Sequence, residues 1–279
     1  MIKYGLTLIL GFMLSIPTLI AQRFISFPFS GYDDEATIQL GLQYNLVNQN
    51  YQLNLKNNWK QLFEDLDVDN EAVTYLGDLK SVHSPKRHGF AVGIPIDIKW
   101  NETLSLNFTP SFIILNSYQI AYTAMDVEIK PMIRKSKQSL NGLQGDNYHS
   151  FELPVGFKIR SEEKNIFKSD TKYRAYLVGG VRLTKWTGLV KKYDDLIIEK
   201  SNNRPVSEAL ILKPEYMSWE AGVGFNFHFS YFKVSPELRF SQSMSNVLNN
   251  NHVLSRENKF MAPIDKAFIR NVYFSLIFQ

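Results

Sequence analysis

From Leu104 to Tyr122 the chain holds to one alternation for nineteen residues. Leu104, Leu106, Phe108, Phe112, Ile114, Tyr118, Ile120 and Tyr122 point one way, while Ser105, Asn107, Thr109, Ser111, Ser117 and Gln119 point the other. A period of two marks a strand with one oily face and one wet face. Soluble strands usually run about 5 to 6 residues and tilted membrane strands about 9 to 11. A run this long favours a wall that crosses lipid and continues beyond it.

The pattern recurs. In "HGFAVGIPIDIKW", residues 88–100, Phe90, Val92, Ile94, Ile96, Ile98 and Trp100 alternate with Ala91, Gly93, Pro95, Asp97 and Lys99. Further runs at 37–46, 150–159, 173–186, 215–229, 231–241 and 268–278 bring the total to eight. An even count suits a single-chain bacterial barrel. Beyond residue 22 no apolar run is long enough to span a bilayer as a helix, and a closed barrel is the other structure that satisfies every backbone group in lipid. Aromatic residues make up 14% of the chain, which fits pleated, half-buried surfaces.

The predicted fold is therefore all-β. It is an eight-stranded antiparallel transmembrane β-barrel over 37–279, with short periplasmic turns and long outer loops at about 56–87, 124–149, 187–214 and 243–267. Both termini are then periplasmic and the barrel sits in the outer membrane. A soluble ligand-binding barrel is the competing architecture, but there the apolar face points inward.

The first 21 residues read as a secretory signal peptide: Lys3, an apolar run broken by Pro17, then Ala21. Residues 22–36 follow as an N-terminal periplasmic segment. The chain has no cysteine, which excludes disulfides and a lipid-bearing cysteine. Its net charge of +4 is spread along the chain, with no basic stripe interleaved with aromatics, so nucleic acid is not an expected partner.

Charge placement separates the two faces. Glu152, Lys158, Arg160, Arg174, Arg182, Glu220, Lys233, Glu237 and Arg239 lie on the polar faces and are predicted to form a charge network inside the barrel. Eight strands leave an interior only wide enough for side chains to fill, so a satisfied network is expected rather than an ion path. Aromatic girdles are expected at both rims: Trp100, Phe229, Tyr231 and Phe278 at the periplasmic one, and Tyr118, Tyr122, Trp186 and Trp219 at the outer one. Pro95, Pro110, Pro154 and Pro236 fall inside strands, where proline removes a ladder bond. They predict a belt of bulges at mid-height.

Signals for chemistry are weak. Five histidines are scattered without metal-ligand spacing. "DLDVDNE", residues 65–71, has Asn70 where a calcium loop needs glycine and Leu76 where it needs the bidentate glutamate. No serine and histidine announce a nucleophile and its base, so no catalytic residue, metal or cofactor is predicted and the chain is not expected to be an enzyme. Trp59, Leu62, Phe63 and Leu66 recur at helical spacing in the first outer loop, as a short amphipathic helix that packs on the rim or docks a partner. Lys130, Arg134, Lys135 and Lys137 make the second loop basic, as a solvated loop or a contact for anionic lipopolysaccharide or an acidic partner.

"HGFAVGIPIDIKW", "SFELPVGFKI", "AYLVGGVR" and above all "VSPELRFSQSMSNVL", residues 234–248, resemble the PorT family, outer-membrane β-barrels of Bacteroidota required for type IX protein secretion. The resemblance spans roughly 37–279, apart from loops 56–87 and 187–214. It implies a non-enzymatic membrane component whose partners are outer-membrane lipid and other type IX secretion proteins. It supplies no catalytic residues and no small-molecule substrate. A general small porin-like or solute-binding barrel is the alternative from another class.

Overall fold

The computed structural model describes residues 25–27, 36–60, 78–125, 130–137, 145–165, 172–201, 209–229, 231–256 and 258–279. The predicted signal peptide lies outside the described residues, as do Leu62, Phe63 and Leu66 of the expected docking helix.

Eight staves close into one ring. The first is β2 (Ile38–Leu40) with β3 (Leu42–Leu55), preceded by the short β1 (Ile25–Ser26). The second is β5 (Arg87–Gly93) with β6 (Ile96–Lys99), preceded by β4 (Leu79–His83); the third is β7 (Leu104–Phe108) with β8 (Ser111–Leu115). After β9 (Ile120–Ala124) and β10 (Met132–Arg134) come β11 (Ser150–Arg160), the fourth stave, then β12 (Lys164–Asn165) and β13 (Lys172–Trp186), the fifth. The last three are β14 (Glu215–His228), β15 (Lys233–Ser243) and β16 (Ile264–Phe278). Each stave pairs antiparallel with the next, and β16 returns to β3 from Phe278↔Leu42 up to Ile264↔Leu55. Closure leaves the wall no edge to template aggregation.

Alternation decides which way each side chain faces. In β11 the outward Phe151, Leu153, Val155, Phe157 and Ile159 are exposed, while the inward Ser150, Glu152, Lys158 and Arg160 are buried. The same holds around the ring: Leu42, Tyr44, Phe90, Leu177, Val223, Leu238 and Phe274 stand exposed on the outside. The outside therefore carries an apolar band, interrupted on β3 by the outward amides Asn48 and Asn50. In β14 it runs from Met217 to Phe227, a length that fits the lipid-crossing part of a tilted strand.

The prolines break the ladder without bulging it. β2–β6 and β3–β5 share one register across Pro95, and β6–β7 and β5–β8 share one register across Pro110. Pro154 pairs regularly with Arg182, and Pro236 with Leu276. The expected belt of bulges is thus corrected to a diagonal row of half-bonded pairs. Gly41 N donates to Pro95 O at 2.9 Å, Ile94 N to Pro110 O at 3.0 Å and Thr109 N to Pro154 O at 3.2 Å. In each pair the proline still accepts, and only its missing N–H is lost.

The two ends differ. At the turn end, Trp100–Thr103 and Phe229–Phe232 connect staves tightly; Asn101 Oδ1 accepts from the N–H of Thr103 at 2.9 Å and of Leu104 at 2.7 Å. The chain's last residue, Gln279, and β1, parallel to β2, lie at this end. At the loop end, β4, β9 and β10 leave the ring as a separate three-stranded sheet. The third loop carries an unforeseen helix, α1 (Leu189–Ser201), started by Gly188 at φ 73. Leu189, Tyr193 and Leu196 line its buried side. With Leu79, Tyr122, Leu210, Leu212, Leu248, Phe260 and Met261 they make an apolar core that caps the barrel.

Candidate functional site

The lumen is the most heavily built part of the molecule, and it is built of charge. Arg182, from β13, lies between Glu152 of β11 and Glu220 of β14, giving Nε to Glu220 Oε2 at 2.7 Å and NH1 to Glu152. Arg239, from β15, reaches the same Glu220 with NH1 and gives Nε to Glu237 Oε1 at 2.9 Å. Five side chains thus alternate in sign as Glu152, Arg182, Glu220, Arg239, Glu237. Tyrosines extend both ends: Tyr273 OH donates to Glu152 Oε1 at 2.9 Å and Tyr176 OH to Glu237 Oε2 at 3.0 Å. Beyond Tyr273, Asn271 Nδ2 donates to its hydroxyl at 2.9 Å, and Tyr118 OH donates to Asn271 Oδ1 at 2.6 Å.

Two of these bonds cross the full width of the ring. β16 and β11 stand on opposite sides of the eight-stave circle, and Tyr273 joins them through Glu152. β15 and β7 are likewise opposite, and Arg239 NH2 reaches Asn107 Oδ1 at 3.4 Å. Gly224 makes room for the reach of Tyr176, since a Cβ there would meet the Tyr176 Cζ and hydroxyl oxygen at only 2.4 Å. Buried ions of this kind cost several kcal/mol each to desolvate, so their value depends on every partner being present. Here each acid faces a guanidinium, and each guanidinium faces two acids.

A second tier lies toward the turn end. Lys158 Nζ is 2.9 Å from Asp97 Oδ2, Asn107 Nδ2 donates to Asp97 Oδ1 at 2.8 Å, and Gln279 Nε2 to Asp97 Oδ2 at 3.2 Å. Lys233 Nζ donates to Gln39 Oε1 at 2.7 Å and Arg160 NH2 to Ser105 Oγ at 3.0 Å. Arg174 sits at the mouth, 3.1 Å from Glu163. The nine predicted interior charges therefore all face the lumen or its mouth, and the structure adds Asp97 to them. Asp97 shares the inward parity of Lys99 in "IDIKW", which is the signal that identifies it.

The aromatic expectations divide. Trp100 is 79% and Tyr231 77% exposed, beside Phe229 and the half-buried Phe278, all at the turn end; Trp219, 41% exposed, faces outward on β14 near the loop end. Tyr118, Tyr122 and Trp186, expected on the outer girdle, are instead buried. For Tyr118 the cause is a bulge at Phe90/Ala91 against β8: Ile114 and Leu115 both point out, the alternation slips by one, and Tyr118 swings inside. Tyr122 belongs to the cap sheet, where it packs edge-on to Phe260. Trp186 shares the inward parity of Arg182.

The cap binds its loops together through buried backbone. Leu210 N donates to Lys135 O at 2.8 Å, Tyr193 OH to Leu210 O at 3.1 Å, and Asn258 Nδ2 to Ala209 O at 2.8 Å. Burial pushes the Tyr193 phenol well above its usual range. Trp59, the described member of the expected docking helix, packs partly buried against this core. Of the basic second loop, Arg134 stacks 3.7 Å from the Phe260 ring centre and Lys135 lies 3.9 Å from Asp146.

No family model matches the chain, and no curated protein matches it. Among solved structures, the chain is similar to Neisserial surface protein A at 7% identity and a TM-score of 0.32, covering 86% of this chain and 94% of that one. It is similar to Ail, the attachment invasion locus protein of Yersinia pestis, at 10% identity and a TM-score of 0.28, covering 86% and 96%. The complex of Ail with the heparin analogue sucrose octasulfate gives 6% identity, a TM-score of 0.29 and the same coverage. The barrel assignment rests on the closed strand ring itself.

Proposed function

We propose that this chain is a non-enzymatic outer-membrane β-barrel that serves type IX protein secretion through contacts with other secretion proteins in the membrane. Its lipid-facing surface is the apolar band, and the turn end, with both chain ends, faces the periplasm. The observation that carries the reading is the pair of bonds across the full width of the lumen, Tyr273 to Glu152 and Arg239 to Asn107, beneath a packed apolar cap. Among the described residues these side chains span the lumen from wall to wall, so the reading assigns the barrel's working parts to its surfaces. The resemblance of residues 234–248 to the PorT family is what favours type IX secretion as the system; in the structure that stretch furnishes Glu237 and Arg239 to the network and Val247 and Leu248 to the cap core.

The test is a mild-detergent pull-down of the tagged mature protein from outer membranes, with mass spectrometry of what stays bound. Type IX translocon proteins are expected in the eluate. Recovery of the barrel alone contradicts the reading and favours a free-standing porin-like protein.

A further inference from the structure

The first two staves part above Gln49. β3 runs on beside β16 to Leu55, but its pairing with β5 stops at Gln49↔Arg87. The chain before β5 leaves the ring as β4, which pairs with β9 and forms the outermost strand of the cap sheet. Among the described residues, the β5 side of β3 above Gln49 and one side of β4 therefore carry no strand. Ser84 bridges the fork, its Oγ accepting from Tyr51 N at 2.8 Å and donating to Gln119 O at 2.8 Å. Unpaired N–H and C=O groups on such edges are a template for a further strand.

The fork is also basic. Lys80 and His83 of β4, Lys86 of the link, and Arg87 and His88 of β5 are all exposed. Among the described residues none of the five makes an ion pair. Residues 36–60 contain no acid, and Asp78 alone is acidic in 78–96. A second copy of this chain brings the same charge to the same edge, which disfavours self-pairing. A lipid headgroup answers the cations but not the backbone groups.

We infer that the fork between β3 and β4 docks an extended acidic segment of another protein, taking it up as an added strand. The inference deepens the contact reading above and rests on it, with the loop end outside. In this mode main-chain bonds to the edge supply affinity, and side chains at every second position supply selection. Carboxylates at alternate positions of the added strand face the cations that have no acid of their own.

The experiment places the mature full chain in phosphatidylcholine nanodiscs and adds a fluorescein-labelled peptide of alternating Glu and Thr, about ten residues long, read by fluorescence anisotropy. The peptide is expected to bind, and more weakly as salt rises. A peptide of alternating Lys and Thr is expected not to bind. One of alternating Glu and Pro keeps the charge but loses every second N–H, and is expected to bind about tenfold more weakly. Lys80→Gln with Lys86→Gln should weaken binding about tenfold, since one exposed ion pair is worth up to about fivefold. Lys185→Gln with Lys191→Gln, on β13 and α1, removes equal charge elsewhere and is expected to leave binding unchanged.

Equal binding of the proline peptide, or an equal loss in the control pair, overturns the docking edge. So does binding that emerges only after Glu64, Asp65, Asp67, Asp69 and Glu71 of the first loop are neutralised, because the chain then supplies its own occupant. Heat-modifiable gel migration verifies that each variant is a folded barrel. A folded barrel that takes no acidic peptide overturns this inference and leaves the membrane reading intact, while the type IX reading is judged separately by its pull-down. A wild-type chain that does not insert into nanodiscs at all overturns both the edge and the membrane reading.

Discussion

Glu220→Leu is expected to destabilise the barrel by about 3–5 kcal/mol, the cost of leaving buried charge without its partner. Glu220 is the one acid shared by Arg182 and Arg239. Without it the two guanidiniums face each other across a buried space and depend on Glu152 and Glu237 alone. The change should appear as a lower temperature at which heat-modifiable migration is lost, and as a lower urea midpoint in bilayers. Glu220→Gln keeps the shape and two hydrogen-bonding atoms, so its loss should be smaller. If Glu220→Leu matches wild type, the lumen is not held by this network.

Val223→Arg is expected to cost about 2–4 kcal/mol in a bilayer, the penalty for arginine on the lipid face of a barrel at mid-depth. Val223 is exposed, and its register partners Leu238 and Leu177 are exposed beside it. On a water-facing wall the same substitution would be close to neutral, since surface changes usually fall within about 0.5 kcal/mol. The contrast with Asn54→Arg, exposed on β3 opposite Lys266 on the loop side of the apolar band, sharpens the reading, because the penalty falls toward zero near the interface. Urea unfolding in phospholipid vesicles measures both. Equal, negligible effects at the two positions would remove the lipid-facing assignment.

Strand number, closure and the inward set of charges were legible because alternation is a local property. Parity alone places Glu237 and Arg239 inside and Leu238 and Phe240 outside. What failed were inferences that needed a partner strand. Tyr118 keeps the outward parity of Leu104 in the sequence, and only the bulge at Ile114 and Leu115, opposite Phe90, turns it inward. The proline row kept its register because the carbonyls of Pro95, Pro110 and Pro154 still accept from the neighbouring stave, which no single strand reveals. Trp186 was readable and points the other way: its parity is that of Arg182, and an aromatic near a strand end is as able to cap a lumen as to ring a rim. Within the cap, Leu189, Tyr193 and Leu196 carry helical spacing, but a short amphipathic stretch between long strands does not declare what it will pack on.

The central claim is that this filled barrel works in type IX secretion by contact, and loss of the gene tests it most directly. The measurement is the distribution, between medium, cell surface and periplasm, of cargo bearing the type IX C-terminal signal. Accumulation of that cargo in the periplasm, reversed by the wild-type chain, is the predicted result. Undiminished export in the deletion strain, with an otherwise intact outer membrane, would contradict it.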